Sequence, residues 1–96
     1  MELNEAARLF KALSSEQRLR VLGIIREMTE QSPADDPGAT KAFSRCCEQL
    51  SLSPSTVSHH IKELESAGLI TTARRGQSVC CQMNPGAWDR LKAFLG

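Results

Sequence analysis

Apolar residues return every three or four positions along most of the chain and alternate with polar ones in a short stretch near its end. That pattern predicts a mainly α protein with one small β-hairpin. In the first stretch Leu3, Ala6, Ala7, Phe10 and Leu13 share a helical face, with Asn4 and Glu5 near its start, so residues 1–13 read as an amphipathic helix. Ser14-Ser15 then offers a cap for a second helix reaching about Glu30, with a stripe of Leu19, Leu22, Ile24 or Ile25, and Met28. Gly23 weakens the middle of that helix by roughly 1 kcal/mol relative to Ala, which suggests the close approach of another element. The run QSPADDPGAT, residues 31–40, is dense in Pro, Gly and Asp and predicts a loop.

The best-defined signal follows. Phe43, Cys46, Cys47 and Leu50 form an i, i+3, i+4, i+7 stripe, and Ser51-Leu52-Ser53 leads at once into another helix. Ser53 is suited to cap that helix, Pro54 to occupy its first position and Gly68 to end it. Val57, Ile61 and Leu64 fall on its inner stripe, while Ser55, His59, Lys62 and Ser66 project on the opposite side. Two helices joined by so short a turn predict a helix-turn-helix whose outer side is small and polar with almost no acid.

After Gly68, residues 69–74 and 78–83 read as two strands. Thr71 and Thr72 favour extended backbone, Gly76 serves the turn, and Val79, Cys81 and Met83 alternate with Cys80 and Gln82. A hairpin directly after such a helix is a wing, and Arg74, Arg75 and Gln77 at its tip suit contact with phosphates or a minor groove. Asn84-Pro85 repeats the cap-then-Pro start and opens a last helix with Trp88, Leu91, Phe94 and Leu95 on one side. Trp88 and Phe94 are large for the end of a small chain. They either cover the core or meet the first helix of a second copy.

Composition narrows the setting more than the chemistry. The 96 residues predict a single winged helix-turn-helix domain spanning 1–96, with about five helices and a two-stranded wing. Lys+Arg 12 against Asp+Glu 11 leaves a formal charge of +1, so a nucleic-acid face has to come from the placement of Lys41, Arg45, Lys62, Arg74 and Arg75. No apolar run approaches the ~20 residues of a membrane span, and the acid in MELNEAARLF stands where a signal peptide carries base, so a cytoplasmic location is expected. Four cysteines in a small cytosolic chain are expected to be reduced at rest.

The whole chain resembles the ArsR/SmtB family of bacterial winged-helix repressors. LFKALSSEQRLRVL is similar to the family's N-terminal signature and LSLSPSTVSHHIKELESAGLI to its helix-turn-helix. The resemblance implies a homodimer built from the first and last helices, which binds palindromic operator DNA and releases it on meeting an inducer. On that reading Leu3, Phe10, Trp88, Leu91 and Phe94 are the expected dimer interface. Ser55, Thr56 and His59 face base edges, and Ser53, Ser58, Lys62, Arg74, Arg75 and Gln77 complete the DNA-binding set. The family's metal ligands are not matched: Ala42 and Ser44 stand where a Cys-x-Cys pair is found in some members, and the last helix has no His.

Cys46, Cys47, Cys80 and Cys81 then have two readings. One is core packing, since a reduced Cys behaves as a small hydrophobe. The other is a site for a thiophilic metal, a metalloid or a reversible disulfide, which requires one cysteine of each pair to approach the other; no cofactor follows with certainty. His59 and His60 lie about 100° apart on their helix and do not chelate together, so His59 is expected outward and His60 against the domain. Ser58, His59, Glu63 and Glu65 have the residue types of a triad but diverge on one helix, so no enzyme is expected. The alternative is a winged helix that docks a protein partner without operator binding.

Overall fold

The computed structural model describes residues 2–31, 42–75 and 78–96, with the backbone alone at 30–31, 74–75 and 78–79. Its order is α1 (Leu3–Ala12), α2 (Glu16–Gln31), α3 (Ala42–Leu50), α4 (Pro54–Ser66), β1 (Ile70–Arg75), β2 (Ser78–Met83) and α5 (Pro85–Leu95). This is a winged helix-turn-helix of five helices and a two-stranded antiparallel hairpin. The predicted loop over 31–40 lies outside the described residues beyond Gln31, which ends α2.

Local chemistry sets the ends of the key helix. The Ser53 Oγ accepts from the Thr56 N–H at 3.2 Å, and Pro54 follows at the first position. At the other end Gly68 has φ 83°, the Gly68 N–H donates to the Glu65 carbonyl and the Leu69 N–H to the Leu64 carbonyl. That pair of bonds is a Schellman closure, and Leu64 and Leu69 are both fully buried beneath it. Ahead of α4 the turn runs through Ser51 at φ 53°, a left-handed conformation that costs a non-glycine residue roughly 1–2 kcal/mol. α2 starts as expected, with the Ser15 Oγ accepting from the Arg18 N–H at 3.3 Å.

A single cluster joins the elements: Leu9 and Ala12 of α1, Val21, Leu22, Ile24, Ile25 and Met28 of α2, Ala42 and Cys46 of α3, Val57, Ile61 and Leu64 of α4, Leu69, Ile70, Cys81 and Leu91. Phe43, Cys47 and Leu50 pack against it half-buried. The hairpin pairs Ile70 with Met83 and Thr72 with Cys81. Its root is tied down twice. The Met83 N–H donates to the Thr29 Oγ1 at 3.3 Å, and the Asn84 N–H donates to the Leu69 carbonyl at 3.0 Å.

Several expectations are corrected. The inner face of α1 is Ala6, Leu9 and Ala12; Leu3, Ala7 and Phe10 are exposed, because the helix meets the core on a face turned away from its largest side chains. Leu19 is exposed and Val21 takes the place expected for it inside. The Asn84 side chain does not cap α5; its Nδ2 donates to the Gly68 carbonyl at 2.9 Å, linking the exit of α4 to the start of α5. Phe94 and Leu95 are exposed beyond the buried Ala87 and Leu91. No close approach is made at Gly23: among the described residues nothing lies within 4 Å of where its Cβ would stand.

Because the space at Gly23 is open and its backbone is helical, Gly23→Ala should raise stability by about 0.5–1 kcal/mol. A urea titration would show a higher midpoint with an unchanged slope. A lower midpoint would contradict the open environment.

Candidate nucleic-acid interface

With Val57, Ile61 and Leu64 buried, the opposite side of α4 is committed to solvent. Ser55, Thr56, Ser58, His59 and Lys62 are all exposed there. Ser53 is exposed too, but its Oγ is held in the cap, within 3.2 Å of the Ser55 Oγ and 2.9 Å of the Thr56 Oγ1. Ser53 therefore orders the first turn, and Ser55 and Thr56 hold the more outward hydroxyls. The surface offers donors and acceptors of short reach, with Lys62 as its cation, on a helix about as wide as a DNA major groove admits.

His60 sits half-buried beside this face, as expected. Burial pushes its pKa below the usual histidine value, and the nearby Arg18 and His59 push the same way, against the charged form. Its Nδ1 is shielded and has no hydrogen-bond partner among the described residues. His59 and His60 rings are 5.9 Å apart between centroids and tilted by 53°, an arrangement of neighbours and not of chelating ligands.

The wing is positioned from α4 itself. The Thr72 Oγ1 donates to the Glu65 Oε2, joining β1 to the last turns of α4. The backbone of Arg74 and Arg75 ends β1, but their side chains, and all of Gln77, lie outside the described residues, as does Lys41.

A feature missed in the sequence lies on the other flank of α4. Arg8, Lys11 and Arg18 meet His59, Glu63 and Ser66 around a groove of about 450 Å³. The Arg18 Nη1 donates to the Ala12 carbonyl at 3.4 Å, which holds this cation against the end of α1. Arg8 and Lys11 were legible as the polar side of an amphipathic helix; their place beside α4 depends on how α1 packs.

Each cysteine pair sends one member into the core cluster. Cys46 and Cys81 belong to the same buried cluster, Cys47 packs against it half-buried, and Cys80 is buried outside it. None is joined in a disulfide among the described residues. Burial first, then Cys47, pushes the Cys46 thiol up to about 11. Burial first, then Cys80, Cys46 and Glu65, pushes Cys81 up to about 12. Both shifts work against the thiolate form in which cysteine binds a soft metal. Among the described residues no three His, Cys, Asp or Glu side chains gather as ligands. Among the described residues the donor set does not fit a soft metal or metalloid.

The expected interface residues divide. Phe10 and Phe94 are 40% and 43% exposed, with ring centroids 6.3 Å apart, and Leu3 and Leu95 are exposed beside them. Arg90 reaches Glu5 at 3.3 Å and fixes α5 against α1. Leu91, however, is buried in the chain's own core, and half-buried Trp88 packs against that core. Among the described residues no helix is long and apolar enough to cross a membrane.

Comparison with known proteins agrees with this geometry. Residues 38–72 match the family model described as bacterial regulatory protein, arsR family. No curated protein sequence matches the chain. Among solved structures, an ArsR family transcriptional regulator superposes with a TM-score of 0.75 at 22% identity, covering 99% of this chain and 87% of its own. The homodimeric winged helix-turn-helix DNA-binding domain of Mb0332 from Mycobacterium bovis, a possible ArsR-family regulator, gives 0.67 at 19% identity, covering 97% and 77%. The transcriptional regulator HlyU from Vibrio vulnificus CMCP6 gives 0.60 at 26% identity, covering 95% and 84%. The resemblance read from the sequence is supported by the matched motif and by the fold, and the proteins concerned are regulators of transcription, not enzymes.

The thiol environment predicts an alkaline limit to stability. Cys46 and Cys81 stay protonated in the folded chain above the pH at which they ionise when unfolded, near 9.0, so the unfolded state binds fewer protons there. Their contribution is intact below that pH and is lost as pH rises toward 11–12. Urea midpoints of the chain and of a Cys46→Ala/Cys81→Ala variant should converge over that range; parallel curves would contradict it.

Proposed function

We propose that this chain, which carries an arsR-family helix-turn-helix in an ArsR-like winged fold, is a cytoplasmic repressor that binds palindromic operator DNA as a homodimer through α4 and the wing. The observation that carries the reading is the outer side of α4: Ser55, Thr56, His59 and Lys62 exposed on a helix whose inner stripe and both ends are fixed. Ser55, Thr56 and His59 read base edges, Ser58 and Lys62 support them, and Arg74, Arg75 and Gln77 of the wing hold backbone or minor groove. Residues 1–96 work as one domain. Arg8, Lys11 and Arg18 add positive charge along the flank of α4, where a phosphate strand passing the helix would lie.

The exposed rings of Phe10 and Phe94, with Leu3 and Leu95, supply the apolar surface for the homodimer, and the Mycobacterium bovis domain is itself homodimeric. Leu91 and Trp88 support that surface from within. Release by a thiol-reactive inducer would start at Cys47, the one cysteine that is only half-buried.

The contacts separate by experiment. Ser55→Ala or His59→Ala should cost roughly 1–3 kcal/mol at the operator and relax preference at one base position. Arg75→Ala should weaken binding to every sequence and lower the salt slope by about 1. Binding that ignored salt would favour a protein-docking role instead. Phe10→Asp/Phe94→Asp should give a monomer in light scattering with weakened operator binding, and a monomeric parent protein with full operator binding would sink the dimer.

A further inference from the structure

A second cavity, remote from the α4 face, lies between α2 and α5. Its volume is about 660 Å³, within the range of small-molecule sites. Leu19, Gly23 and Arg26 line it from one stripe of α2, and Trp88, Asp89 and Lys92 from one stripe of α5. At about 100° per residue, Lys92 and Phe94 lie on nearly opposite sides of α5, so the cavity does not share the flank that carries the exposed aromatic pair.

One feature of this cavity is not explained by folding. Gly23 sits in mid-helix, where glycine costs roughly 1 kcal/mol, yet no neighbour needs the room: a Cβ there meets nothing within 4 Å. The missing side chain leaves the wall of the cavity open. The polar lining is also lopsided. Arg26 and Lys92 are cations in no ion pair among the described residues, against the single acid Asp89.

From this we propose that the α2–α5 cavity binds a small amphipathic carboxylate, its apolar body lying along Leu19, the open face at Gly23 and the Trp88 ring, and its carboxylate held by Arg26 and Lys92. Asp89 sets the selectivity, because it repels a second negative charge and limits the site to monoanions. Met83, at the end of β2, is part of the wall, so an occupant sits against the root of the wing.

Trp88 is the chain's one tryptophan, so its fluorescence reports this cavity directly. Decanoate, titrated below its micelle concentration, should change the emission saturably, and decyltrimethylammonium, of equal chain length and opposite charge, should bind at least tenfold more weakly. Arg26→Ala/Lys92→Ala, at exposed positions that leave folding intact, should weaken decanoate at least tenfold. Gly23→Leu should weaken decanoate at least tenfold by placing a side chain where its apolar body would lie. Equal affinity for anion and cation, or undiminished decanoate binding in the Arg26→Ala/Lys92→Ala variant or in a folded Gly23→Leu variant, would overturn the assignment.

Discussion

The burial of Val57, Ile61 and Leu64 against α2 and α3 is the constraint on which everything else depends. Each of these side chains stabilises the fold by roughly 1.5–3 kcal/mol through removal from water, and a helix that buries one stripe has no freedom left to rotate. The identity of the outward residues follows from that alone. The ends of α4 then fix its register: the Ser53 cap at one, the Schellman closure at Gly68 at the other. From Gly68 the chain passes directly into the wing, and Asn84 returns to the same Gly68 carbonyl from the far side of the hairpin. Recognition helix and wing are therefore referenced to one point of the backbone.

The small formal charge of the chain makes placement the source of any DNA affinity. Arg8, Lys11 and Arg18 outnumber Glu63 in the groove beside α4, Lys62 is exposed on α4 itself, and Glu65 is engaged by Thr72. A protein so close to neutral gains little from long-range attraction, and its binding has to come from contacts made at close range.

The sequence made the helix-turn-helix legible because its signals are local: a cap, a proline, a glycine and a stripe are each decided within a turn of helix. The buried stripe of α4 and its two ends therefore lie where the local pattern put them. The failures are tertiary. On α1 the apolar residues cover more of the helix than one neighbour can bury, so Leu3 and Phe10 could not be told from Leu9 without knowing where the core lies. Leu91 and Trp88 carried the same ambiguity and fall on the inside of the chain. Asn84 had a local role available as a cap and a distant one at Gly68, and the distant bond won. That one cysteine of each pair lies near the other was an expectation from topology; Cys46 and Cys81 share the buried cluster, and only packing could reveal that burial pushes both thiols up.

Chemical-shift mapping of the labelled protein with a DNA duplex at low salt tests the central claim most directly. The amides of Ser55, Thr56, His59 and Lys62 should move most, with those of the α2–α5 cavity largely still. If the largest shifts fell on α2 and α5 while the α4 amides stayed fixed, the outer side of α4 would not be the face that meets DNA.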